Sequence, residues 1–108
     1  MSTSRSFLDC CGSPSIERRR TLYESVHDAE ALLQCVSCET FWFYRFSEYV
    51  NWSGGPDDLT SWYSPLTPAE AESVEAGGAT DFLVSRPSWM DDNGQIRKVA
   101  GAPDHPRS

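Results

Sequence analysis

The stretch that decides the fold is residues 35–50: Cys35-Val36-Ser37-Cys38-Glu39-Thr40-Phe41-Trp42-Phe43-Tyr44-Arg45-Phe46-Ser47-Glu48-Tyr49-Val50. Its second part, residues 40–50, carries aromatics at 41, 42, 43, 44, 46 and 49, a density that suits the pleated surface of a strand. Side chains of a strand alternate between faces, so Trp42, Tyr44 and Phe46 point one way and Phe41 and Phe43 the other. Both faces are apolar at the start, which places this strand centrally in a sheet. Arg45 then sits among aromatic neighbours. It is expected to stack on a ring or to pair with a carboxylate, in a structural role.

The first part, Cys35-x2-Cys38, presents two thiolates from one tight turn at the spacing a tetrahedral zinc requires. A redox motif of the same spacing would open a helix, whose dipole lowers the thiol pKa. Here it leads into a strand, which favours metal. The other two cysteines are adjacent, in Cys10-Cys11-Gly12. Between the pairs, Leu22, Val26, Ala29 and Leu33 fall at helical spacing. The same segment also reads as a hairpin, with strands 16–25 and 29–34 and a turn at Val26-His27-Asp28. The placement of the cysteines favours the hairpin.

With these residues the chain resembles a zinc ribbon, in which two cysteine knuckles flank a hairpin and a third strand leaves the second knuckle. Cys11-Gly12 matches the end of the first knuckle, Cys35-Val36-Ser37-Cys38 the second, and residues 40–50 the third strand. The resemblance covers residues 8–50. It implies a zinc held by Cys11, Cys35 and Cys38, with Cys10 as the fourth ligand or His27 swinging in from the hairpin turn. A site with four protein ligands is closed and structural, not catalytic. The alternative for the same cysteines is a metal-free core in which they pack as small hydrophobes.

Downstream, Ser53-Gly54-Gly55-Pro56-Asp57-Asp58 is a loop, and a short strand is expected at 60–63. A helix is expected at about 67–76. Thr67 caps it, Pro68 suits the first helical position, and Glu70 completes a T-x-x-E capping box. Gly77-Gly78 ends it. Residues 81–84 form a short helical turn or strand. Asn93-Gly94 signals a two-residue hairpin turn between strands 88–92 and 95–99, a register that sets Trp89 opposite Lys98. Asp91-Asp92-Asn93 shares residue types with a calcium loop but lacks the rest of that motif, so turn chemistry is the better account. The fold expected is β-rich α+β: a three-stranded ribbon-like unit extended by further short strands, one capped helix and a C-terminal hairpin. A chain of 108 residues fits one domain, with tails at 1–6 and 101–108.

Nine basic and sixteen acidic residues give a net charge of −7. From Thr21 to Asp81 the only Lys or Arg is Arg45. Such a surface repels nucleic acid, whose phosphates are held by Lys and Arg. Arg18-Arg19-Arg20 is an exception, read as a solvated run pairing with nearby carboxylates. No apolar run reads as a signal peptide or a membrane span, so the expected compartment is the cytoplasm, where disulfides rarely persist.

No nucleophile, metalloprotease, phosphate-loop or dinucleotide motif appears, and no enzymatic activity is expected. Trp52, Trp62 and Tyr63 bracket a loop carrying Asp57 and Asp58. Aromatic anchors beside carboxylates suit capture of a basic protein partner. The expected function is a non-enzymatic protein–protein interaction module, of a bacterial type, with a structural zinc knuckle. The alternative is a small acidic immunity or inhibitor protein that neutralises a basic toxin or nuclease.

Overall fold

A computed structural model describes residues 3–4, 8, 10–12, 14–49, 58–92 and 94–101. Seven antiparallel strands follow one another in chain order across a single open sheet: β1 (Thr3–Ser4), β2 (Ser15–Glu24), β3 (Asp28–Cys35), β4 (Phe41–Tyr49), β5 (Asp58–Leu66), β6 (Ser88–Asp92) and β7 (Gln95–Val99). The helix α1 (Pro68–Glu75) and a 3-10 turn (Asp81–Ser85) fill the connection from β5 to β6.

Residues 16–34 form the hairpin, not the helix, because Leu22 and Leu33 gain more from pairing into the sheet than an isolated amphipathic helix would offer. β5 extends well beyond the expected 60–63. Its whole length pairs with β4, while β6 takes only Thr60 to Tyr63. Thr3 and Ser4, inside a segment expected to fray, pair with Ile16 and Ser15. In the C-terminal hairpin the expected register holds: Trp89 lies opposite Lys98, whose ammonium stands 4.6 Å above the indole. Asn93 lies outside the described residues; Gly94 takes φ +92 and donates its N–H to Asp91 Oδ1.

The middle of the central pair β3–β4 buries apolar side chains on both faces. Leu33 pairs with Trp42 on one face and Leu32 with Phe43 on the other. The first face forms a layer of Ile16, Ala31, Leu33, Cys35, Trp42 and Tyr63, covered by Leu8 from the N-terminal segment. The second packs Leu32, Phe43 and Leu66 against Ala71 and Val74 of α1 and Leu83 of the 3-10 turn.

Arg45 does both things expected of it. Its guanidinium lies 2.9 Å from Glu30 Oε2, its cross-strand neighbour, and 5.2 Å from the Phe43 ring centroid. Both charged side chains are 1% exposed, so each is costly to strand without the other.

The helix start follows the capping pattern in full. Glu70 N–H donates to Thr67 Oγ1, and Thr67 N–H donates back to Glu70 Oε1. Arg86 adds a two-pronged bond to the Glu70 carboxylate at 2.8 and 2.6 Å and a third bond to the Pro65 carbonyl. It thereby ties α1 to the end of β5.

Two outcomes are expected. Glu30→Ala should cost about 3–5 kcal/mol in urea unfolding, whereas replacing Glu30 and Arg45 together with apolar residues of similar volume should cost much less. The Arg86 bond, with the Thr67 backbone bond, also holds the Glu70 carboxyl down to about 2 from its ordinary 4.5. A carboxyl depressed on folding stabilises above its unfolded pKa and loses that contribution as pH falls through the folded one. Stability should therefore decline between about pH 4.5 and 2, and Glu70→Gln should flatten that part of the pH profile.

Candidate metal centre

β3 ends at the fully buried Cys35, and the chain reverses through Val36, Ser37 and Cys38 before β4 begins. The reversal is fixed by backbone bonds: Glu39 N–H to Cys35 O at 2.7 Å, Cys35 N–H to Thr40 O, and Val36 N–H to Ser15 O. Glu39 closes the turn in the left-handed region, with φ +69. This conformation costs an L-residue roughly 1–2 kcal/mol and glycine almost nothing.

The N-terminal segment carries Cys10 and Cys11 onto the same corner, beside the Ile16–Cys35 pair of β2 and β3. All four thiol sulfurs lie within 4.8 Å of one another, with Cys11 Sγ and Cys35 Sγ 3.8 Å apart. Zinc–sulfur bonds of about 2.3 Å in a tetrahedron put the sulfurs about 3.8 Å apart. The four cysteines named from the sequence are thus brought together, and the adjacent pair Cys10-Cys11 contributes both sulfurs.

The cluster is electrostatically uneven. Burial, with side-chain bonds to Cys38 and Cys35, pushes the Cys10 thiol up to about 12. Cys35 moves down to about 6: burial opposes ionisation there, but is outweighed by backbone hydrogen bonds at Ser15, Cys38 and Ser37. Cys38 is lowered first by the Thr40 hydroxyl, 3.2 Å from its sulfur, against burial. Hydrogen bonds that favour the ionised forms of Cys35 and Cys38 suit a site that a soft divalent cation would complete. A buried donor nearby supports the fit: Trp42 Nε1 is, among the described residues, the buried side-chain nitrogen left with no hydrogen-bond partner.

His27 is not part of this centre. The β2–β3 turn lies at the other end of the sheet, because an eight-residue strand (β3) carries the chain about 26 Å. His27 Nδ1 sits 3.1 Å from Glu48 Oε1 instead.

The expected aromatic partner face also comes apart. Trp52 and Asp57 lie outside the described residues, and Asp58 opens β5 opposite Tyr49. Trp62 and Tyr63 are consecutive in one strand and therefore face opposite sides. Tyr63 is core, 3% exposed, with its ring 5.2 Å from that of Tyr44. Trp62 is half-buried between Arg45 and Met90 on the other face. The strand expected at 60–63 already implies this alternation. Asp91 and Asp92 serve the turn, accepting from Gly94 N–H and pairing with Arg97.

Comparison with known protein families, with curated proteins and with solved structures finds no match to this chain. No helix among the described residues is long and apolar enough to cross a membrane.

Since Glu39 alone among described non-glycine residues takes a positive φ and its side chain is exposed, Glu39→Gly should raise stability by about 0.5–1 kcal/mol. Glu39→Val should lower it, both read as shifts in the urea midpoint.

Proposed function

We propose that the chain is a non-enzymatic interaction module whose sheet is closed on one face by a structural four-cysteine zinc centre of zinc-ribbon-like layout. The observation that carries this reading is the convergence of Cys10, Cys11, Cys35 and Cys38 within 4.8 Å. Four thiolate ligands fill a tetrahedral zinc and leave no position for water or substrate, which supports a structural role over catalysis. Two ligands come from the segment that carries Leu8 over the first apolar layer, and two from the knuckle between β3 and β4. The ion thus fastens a cover to the sheet. Reduced thiols suit the cytoplasm, which belongs to the same reading.

Net charge supports a basic protein as the partner. In an antiparallel meander, alternate turns lie at the same end of the sheet. The end away from the cysteines therefore gathers Glu24, Asp28, Glu48, Asp91 and Asp92 from three alternate hairpins, β2–β3, β4–β5 and β6–β7. This arrangement serves an adaptor that docks a basic surface, and equally an inhibitor that plugs a basic cleft.

Protein purified under reducing conditions is expected to carry one zinc per chain, with its four thiols slow to react until a chelator is added. Chelation should lower the unfolding temperature and expose the layer around Trp42 and Tyr63 to an apolar dye. Four thiols that react freely before chelation, in protein that is folded and metal-free, would contradict the reading. Binding to a basic partner should weaken steeply as salt rises from 50 to 500 mM, on the order of the screening that shortens the Debye length to a few ångströms.

A further inference from the structure

Trp42 has two properties that do not fit together in a purely apolar core. It is 1% exposed, in the middle of β4, packed in the layer that Leu8, Cys10 and Cys11 cover. Among the described residues its indole N–H nevertheless has no hydrogen-bond partner. Buried tryptophans ordinarily find an acceptor, because an unmet buried donor is expensive. A Phe at this position would fill most of the same space without that cost.

The missing acceptor is explained by the neighbour. Cys10 packs against this layer, and the Trp42 indole is the neutral donor beside its sulfur. A protonated thiol is a weak acceptor, whereas a metal-bound thiolate carries a full lone pair and negative charge.

We propose that Trp42 is a positioning residue of the metal centre: in the loaded state its indole N–H donates to Cys10 Sγ and holds that sulfur on the ion. The centre is then a four-thiolate complex, and the core of β4 senses directly whether it is filled. Donors of this kind to a ligand atom typically change metal affinity by about 10–100-fold. This inference rests on the four-cysteine reading above, and it adds a role for a residue that supplies no ligand atom.

The test uses full-length protein with 15N-labelled tryptophan, loaded with 113Cd2+ as the probe. One indole Nε1–H resonance, assigned to Trp42 by its loss in Trp42→Phe, should correlate with the cadmium nucleus through the N–H···S bond. In Trp42→Phe the cadmium affinity should fall about 10-fold, and the 113Cd resonance should move from the four-sulfur range toward that of three sulfurs and one oxygen. Leu33→Ala, a cavity in the same layer that removes no donor, should lower stability and leave the cadmium resonance in the four-sulfur range. Four-sulfur cadmium with no correlation to any indole, and unchanged affinity in Trp42→Phe, would overturn the role of Trp42 and leave the metal centre standing. Failure of the wild-type chain to bind cadmium would overturn both.

Discussion

The constraint on which this structure depends is that the middle of β3 and β4 is buried on both faces. Leu32 and Phe43 look one way, Leu33 and Trp42 the other, so the sheet cannot rest with one side in water. Each face needs its own cover. The second face receives α1, whose capping box, proline start and Arg86 clamp make a short helix hold its place. The first face receives Leu8, Cys10 and Cys11 from the N-terminal segment, none of them in a helix or strand. Burying Leu8 contributes about 2–3 kcal/mol, while ordering each backbone residue costs about 1–2 kcal/mol. The sulfur cluster brings that segment against the knuckle, where a bound metal would add a cross-link.

Polar devices mark both faces of the same central strands. On the helix side, Glu30 and Arg45 bury a charge pair between β3 and β4, and Ser64 meets Ser88 at 2.6 Å to tie β5 to β6. On the metal side, the donors of Ser15, Ser37, Cys38 and Thr40 surround the sulfurs. An all-apolar core of this size would tolerate slipped registers. A buried pair such as Glu30–Arg45 is satisfied in one register only, because a slip of one residue sends the two side chains to opposite faces.

What could be read from the sequence was local chemistry. The capping box at Thr67, the knuckle at Cys35 and Cys38, the hairpin signal at Asn93-Gly94 and the double-sided strand from Phe41 each rest on near neighbours in the chain. What escaped was set by distant pairing. Nothing near Arg86 announces that it will clamp Glu70, sixteen residues away. Residues 58–66 carry Pro65 and two serines, and become a long strand only because β4 offers a full-length partner. Trp62 and Tyr63 read as one aromatic surface in the sequence, although consecutive residues of the strand expected at 60–63 face opposite sides. His27 stood as a ligand candidate only while the direction of the hairpin was open. Trp42 was legible as core, yet its role beside the cysteines appears only when the N-terminal segment is laid over it.

The central claim is that four sulfurs, and no other ligand, hold one zinc at the corner between the N-terminal segment and the β3–β4 knuckle. The most direct measurement is zinc-edge X-ray absorption on the reduced protein as purified. The account requires a first shell of four sulfurs at about 2.3 Å with no nitrogen or oxygen scatterer. A shell containing imidazole or water, or a folded protein that binds no zinc under reducing conditions, would contradict it.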